Sequence, residues 1–436
     1  MKSLVKILTF IMLISMLSAC ATPAAPAAPA APVEPAAPAA PAAPAAPAAP
    51  AAPAEPVLTE NQQWAKDNGV GPYQPETLDW AAIEEAAKKE GKVVVYANSS
   101  KIGKLQEAWE ALYPDIEWGG TEADGIDTKM SAEQEAGNVV GDVWFNSDGH
   151  ILFGRFVPNE WLWSFVPDGV VIPEVTPERP FAIARHGTDL FGYNQEAHPD
   201  GCPVTNIWQL TDPEWQGKLF MEDPLSDVSM MAKLATFVQN ADKMAEAYQE
   251  LYGKEWSTDE YAGTDAFGMT TDDAGYLWLK KLAYNKPSIQ PGGDEVDGAY
   301  ATIGMDLTTE PGMGISGYSS YQTTMEGELA MAPCFGLKPA TGIFKTSYLA
   351  IANKSSHPNA AKLFIKFALT QEGFDPWNEI GNYSAVEGIQ AAEGTLPYDE
   401  LITQVFEMDP VFDWNNVSKV RDFWAVSLLS APVPED

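Results

Sequence analysis

Between residues 92 and 149 the chain switches repeatedly between two apolar patterns, and few folds accommodate such switching. The run Val93-Val-Val-Tyr96 is short, largely β-branched and unbroken by polar residues, which suits a strand covered on both faces. Residues 101–112 then place apolar side chains at helical spacing until Pro114 forbids continuation. Residues 116–118 read as a second strand, 127–136 as a helix and 142–145 as a third strand. Strands separated by a helix pair in parallel, and helices cover the faces of a parallel sheet, so an α/β unit is predicted. Ligands bind such sheets beyond the carboxyl ends of the strands. Here those ends are Asn98-Ser99-Ser100, the loop from Thr121 to Asp124, and Asn146-Ser147-Asp148. One serine at a helix start is accounted for by capping of free amide groups. Three polar ends converging on one edge point instead to a site.

Prolines at 167, 173, 177 and 180 break this rhythm, and residues 181–193 then read as one long strand leaving the first unit. A strand at 218–222 ends in Asp223-Pro-Leu-Ser226 before a helical region reaching residue 251, so Ser226 repeats the logic of Ser99. Residues 253–275 and 286–300, rich in Gly and Asp, read as loops. Helices at 276–284 and 358–370, strands near 301, 329 and 347, and a helix at 78–90 stopped by Gly91 complete the elements.

The first 56 residues cannot add a core. Lys2 and Lys6 precede an apolar run from Ile7 to Leu17 that is too short to span a bilayer but suits an export signal. Its end, Leu17-Ser-Ala-Cys20, resembles a bacterial lipoprotein signal, which implies that Cys20 becomes the lipidated first residue. From Pro23 to Pro56 a proline stands at every third position. Polyproline II has three residues per turn, so this segment is a semi-rigid tether reaching roughly 100 Å. Without residues 1–19, 24 Lys and Arg face 61 Asp and Glu, a formal charge of −37. Such a surface repels nucleic acid and anionic headgroups alike. About 380 residues remain, enough for two lobes with separate cores. Cys202 and Cys334 are a possible pair in an oxidising compartment, although spacing alone does not establish a bridge.

The chain resembles the bacterial extracellular solute-binding proteins of ABC importers, in the branch that includes ferric-iron, phosphonate and hexose-phosphate binders. The carriers are GKVVVYANSSK at 91–101, Gly141-Asp-Val-Trp144, the run from Trp208 to Lys218, Gly327-Glu-Leu-Ala330, and the run from His357 to Phe367. The resemblance implies a two-lobed α/β periplasmic-binding fold of type 2, each lobe a mainly parallel sheet flanked by helices, with the ligand cleft between the lobes. It sets lobe 1 at 91–182 with a return at 335–370, and lobe 2 at 183–334. Flanking these would be a signal peptide (1–19), a tether (20–60), a helical N-terminal extension (61–90) and a C-terminal helical segment (371–436). It also implies a small-molecule ligand, a membrane permease as partner, a monomer anchored through lipid outside the cytoplasm, and no cofactor.

Carried over by position, the resemblance assigns ligand contacts to Asn98, Ser99 and Ser100, to Ser226 and Ser229 at the second-lobe helix start, and to Tyr318 and Tyr321. Asp124, Asn146, Ser147 and Asp148 join them as strand-end residues, and Arg185, in the strand FAIARHG, as a source of positive charge. Iron binders use adjacent tyrosines, whereas Gly317-Tyr-Ser-Ser-Tyr321 separates the pair, and the first-turn histidine is missing. Hard ferric iron wants anionic oxygens, and this set is poorer in them. Hydroxyls and amides at helix starts suit an anionic oxygen group such as phosphate, phosphonate or carboxylate. Ferric iron stays as the alternative ligand, and a sensing receptor subunit or a secreted hydrolase as alternatives of another class. No HExxH or GxSxG motif occurs to support an enzyme. Gly312-Met-Gly-Ile-Ser-Gly317 fits GxGxxG but follows Glu310-Pro311 rather than an apolar strand, so a dinucleotide site is not expected.

Overall fold

Two long strands form the centre of the molecule: β5 (Ala182–Asn194) and β10 (Gly342–Ala352), paired antiparallel. The computed structural model describes residues 57–122, 125–259, 269–307 and 312–431; the signal segment, Cys20, most of the tether and Asp124 lie outside them. On one side of the central pair stand β1 (Lys92–Ala97), β2 (Glu117–Glu122) and β3 (Val143–Asn146), mutually parallel, with the short β4 (Leu162–Trp163). On the other stand β6 (Leu219–Glu222), β7 (Ser288–Gln290) and β8 (Met313–Gly317), again parallel, with β9 (Met331–Pro333). The order β2-β1-β3-β10-β5-β8-β6-β7 is hydrogen bonded throughout. Two parallel ends are thus joined by an antiparallel crossing.

Each end has its own apolar core. Trp109, Trp144, Phe156 and Phe364 are buried around β1 to β3, and Trp208, Phe237, Trp278 and Trp424 around β6 and the second set of helices. At the crossing the register slips: Ser347 faces Arg185 while Tyr348 faces Ile183. Ala184 is therefore the extra residue of a bulge, which bends β5 and re-aims the side chains that follow it. Among the described residues no helix is long and apolar enough to cross a membrane.

Several expectations need correction. The N-terminal extension 61–90 carries a second helix before the expected one and packs on the first core. Its helices Glu60–Asp67 and Trp80–Glu90, capped by Thr59 and Asp79, bury Ala65, Ile83 and Ala87 in the first core. The region 286–300 contains β7 and the helix Gly293–Ala301, so the strand expected near 301 falls on the end of that helix, and the next strand is β8 at Met313–Gly317. The glycines of 286–300 misled the loop reading because Gly292 and Gly293 stand at the start of the helix and Gly298 on an open face of it. Residues 371–409 are not simply helical, since they include β11 (Tyr383–Ser384) on β5 and β12 (Val405–Glu407) on β10. The last helix, Pro410–Ser430, packs on Val228–Gln239 and Ala274–Tyr284, while its Trp414 lies across Gly154 on the other side of the crossing. Cys202 and Cys334 form a disulfide, with Cα atoms 5.2 Å apart, that staples β9 to the segment before Ile207.

Candidate functional site: a charged cleft at the strand crossing

Side chains alternate along a strand, so Arg185, Gly187 and Asp189 share one face of β5. On β10, Lys345 stands directly opposite Gly187. A Cβ on Gly187 would lie 3.4 Å from Arg185 Nη1, 3.4 Å from Asn382 Oδ1 and 3.6 Å from Lys345 Cε. The missing side chain leaves open the space that these three polar groups border. Ser99, Lys101 and Trp377 close one wall, and Gly317 and Ser319, at the end of β8, line the other side. Thr188 and Asn382 complete the lining of a cleft of about 170 Å³.

The floor is built from charge. Asp189 is buried with Lys233 Nζ at 2.6 Å and Lys345 Nζ at 3.0 Å. Burial pushes its carboxyl up, but the two ammonium groups outweigh burial and hold it well below the usual carboxylate range. Burial likewise opposes the charge on Lys233, yet Asp189 and then Glu222 hold it above the ordinary lysine value. For Lys345 burial wins and its ammonium is pushed down. Burial lowers Arg185 to about 10, which leaves it charged at neutral pH. Its Nη1 donates to Asn382 Oδ1 at 3.3 Å, while its buried Nε has no hydrogen-bond partner. The guanidinium lies 5.7 Å from the centroid of Trp377. Lys101 pairs with Glu379, and Trp377 Nε1 donates to Ser99 Oγ at 3.2 Å. Four cations (Lys101, Arg185, Lys233 and Lys345) are thus gathered on a chain of formal charge −35, paired with Asp189, Glu222 and Glu379 and with Asp227 and Asp297 acting at longer range.

Of the residues singled out in the sequence, the cleft brings together Ser99 and Arg185. Asn98 is exposed and donates to Ser147 Oγ at 3.3 Å, which ties two strand ends together beside the cleft rather than in it. Asn146 is buried and closes on its own turn: Nδ2 donates to Asp148 Oδ2, and Oδ1 accepts from the Asp148 amide. Ser100 is exposed at the start of a six-residue 3-10 helix, Ser100–Leu105, outside the lining.

Ser226 and Ser229 do not offer an anion site. The helix begins at Val228 and its cap is Asp227, whose carboxylate accepts from the amides of Ser229 at 2.7 Å and Met230 at 3.3 Å. Those amides are therefore engaged, and the carboxylate repels a second anion. Tyr318 and Tyr321 are buried outside the lining, because the Tyr318 ring packs on Gly381 and the Tyr321 hydroxyl on Gly192, where a Cβ would meet it at 2.1 Å. Sequence reasoning missed Asp189, Lys233 and Lys345. The available signal was a lone charge within each apolar run: Lys345 in GIFKTSYLAIA, Lys233 in MMAKLATF, and Asp189 two residues beyond the bare Gly187.

Two α/β ends joined by crossing strands, with a polar cleft at the crossing, define a two-lobed binding protein rather than a fold built around one closed active site. Residues 96–373 match the family model for bacterial extracellular solute-binding proteins, and the chain belongs to that family. No curated protein sequence matches it. Among solved structures it is similar to iron-bound HitA from Pseudomonas aeruginosa (18% identity, 77% of this chain and 99% of that one, TM-score 0.57). Apo ferric ion-binding protein A from Pasteurella haemolytica is also similar (14% identity, 79% and 100%, TM-score 0.55). So is MotA from A. tumefaciens B6 in complex with glucopine (16% identity, 77% and 99%, TM-score 0.53). These likenesses show the type 2 periplasmic-binding fold. As a member of this family the chain is the extracytoplasmic solute-binding component of an ABC import system, with a small-molecule ligand and a membrane permease as its partners.

Proposed function

We propose that the solute carries an anionic oxygen group, a phosphate, phosphonate or carboxylate, and that Arg185 and Lys345 receive it on the cleft floor. The observation that carries this reading is the half-buried Arg185 side chain, charged and lining the cleft beside Lys345, with its buried Nε lacking a hydrogen-bond partner. Asp189 and Glu379 act on this cation only through space, and an anion delivered on lobe closure adds the direct hydrogen-bonded partner that it lacks. Ser99, Thr188, Ser319 and Asn382 add hydrogen-bonding groups around it. The ferric-iron alternative has weaker support. Among the described residues no cluster of three or more His, Cys, Asp or Glu side chains is placed to hold a metal, and Tyr318 and Tyr321 pack away from the cleft.

In this reading the protein captures and releases its solute without turnover. Residues 1–19 direct export, Cys20 carries the lipid, and the Ala/Pro tract spaces a monomeric binding unit from the membrane. Mass spectrometry of gently purified protein, followed by calorimetric titration of the solute found, tests the central claim. Recovery of a single neutral or cationic solute bound one to one, with no anionic oxygen, would refute it.

A further inference from the structure

Lys233 is the one cation of the cluster that does not line the cleft. It comes from the buried face of the helix Val228–Gln239 and reaches Asp189 from behind. A lysine in the midst of Met230, Met231, Leu234 and Phe237 gives up its hydration, which calls for a compensating reason. Electrostatics supplies one. Asp189 faces Lys233 at 2.6 Å and Lys345 at 3.0 Å, with Arg185 on the same strand face and Asp297, from the helix Gly293–Ala301, on the far side. With Lys345 alone, Asp189 would cancel the charge that Lys345 presents. With Lys233 in place, one carboxylate is shared by two ammonium groups and neutralises Lys345 less completely. Glu222 and Asp227 also face Lys233, but Glu222 stands further off, at 3.5 Å, and is partly exposed, so water screens it.

We propose that Lys233 is a positioning residue for solute capture, pairing with Asp189 from behind the floor so that the Lys345 ammonium, which shares that carboxylate, faces the cleft only partly compensated. This inference rests on the anionic reading of the cleft given above. It makes the affinity of the cleft depend on a side chain that never touches the solute.

The test uses two readouts on the full chain. Competitive acetylation followed by mass spectrometry gives the titration midpoint of the Lys345 amine without any ligand. Calorimetry with inorganic phosphate at low ionic strength gives anion affinity. In Lys233→Met the Lys345 midpoint moves up, because a neighbouring positive charge is gone and Asp189 serves Lys345 alone, and phosphate binding weakens about tenfold. The double variant D189N/K233M removes one carboxylate and one ammonium together, so the net charge of the floor is unchanged while Lys345 loses its carboxylate partner. It lowers the Lys345 midpoint relative to K233M and returns phosphate affinity to within about threefold of wild type. An unmoved Lys345 midpoint in K233M overturns the role of Lys233, as does a double variant that binds no better than the single one, which is the pattern of mere structural damage. A midpoint that moves as expected while wild type takes up no phosphate counts against the anionic reading instead, so the two failures are separable.

Discussion

The turns after β1 and after β6 look alike in sequence and differ in what they do. Each runs from a strand into a helix across a serine, Ser99 in one and Ser226 in the other. At Ser99 the hydroxyl caps nothing; it accepts from Trp377 Nε1 and stands in the cleft wall. At Ser226 the hydroxyl is exposed and bonds back to the Asp223 carbonyl, and the following Asp227 holds the helix amides. The difference is one carboxylate. An aspartate at the cap satisfies the helix from within the chain and sets a negative charge where an incoming anion would have to sit. A serine at a strand end is thus open to solute only if its neighbour leaves the amides and the local field free. The cleft extends the rule, since Arg185 Nε and Thr188 Oγ1 in its lining residues are buried polar atoms that the chain leaves without a hydrogen-bond partner.

If unmet capacity marks the site, removing it at Arg185 has the largest effect. Arg185→Gln deletes a half-buried cation and at least two donors. Hydrogen bonds to a charged group contribute about 1.5–3 kcal/mol each, so affinity for the solute falls roughly 100-fold or more. Stability changes little, because the desolvation relieved by removing the half-buried charge offsets the lost attraction to Asp189 and Glu379. Calorimetry and thermal melts on one preparation check both halves. Weak binding together with a large drop in Tm would make Arg185 a structural residue and the comparison empty.

Ser99→Ala comes next. Its hydroxyl is half-buried and neutral, so its loss is worth about 1 kcal/mol, roughly fivefold in affinity, with little change in melting. An unchanged affinity would move Ser99 into the same class as Ser226.

Much of the first lobe was legible in the sequence, because unbroken β-branched runs such as residues 93–96 between helical stretches leave few alternatives to a parallel sheet. The cleft was legible in outline, at Ser99 and Arg185, and not in its electrostatics. Asp189, Lys233 and Lys345 are separated by up to 156 positions, and only the crossing of β5 with β10 and the helix behind them brings their charges together. Local reading also cannot tell a polar residue that closes on itself from one that waits for a partner. Asn146 and Asp148 look like ligand groups and are spent on each other.

That closure at the end of β3 has a consequence for pH. Asp127 accepts from Trp144 Nε1 at 2.7 Å beside Asp148, and burial, then the Asp148 charge, raise its carboxyl to about 8. Between the unfolded carboxylate value, about 4, and 8 the folded chain keeps a proton that the unfolded chain has lost, so this group's contribution makes stability fall as pH rises through that window. Asp127→Asn removes the titration while keeping an acceptor for Trp144. Its Tm advantage over wild type is therefore small at pH 5 and grows toward pH 8. A constant offset across that range would show that Asp127 does not titrate there.

The smallest effects belong to the second-lobe turn, and they separate capping from binding. Asp227→Ala removes an acceptor held by two amides, at a cost of about 1 kcal/mol. In a chain of this size that lowers Tm by only about 1–2 °C. Solute affinity holds within about twofold, since Asp227 does not line the cleft and its charge sits behind Lys233. Ser226→Ala changes neither quantity, because its one bond, to the Asp223 carbonyl, is long at 3.4 Å and exposed to water. Thermal melts and calorimetry on the two variants, set beside Ser99→Ala, read the comparison directly: stability alone for Asp227, affinity for Ser99, and nothing for Ser226. A tenfold affinity loss in Ser226→Ala would bring that serine into the cleft of the solute-bound state and cancel the distinction between the two turns.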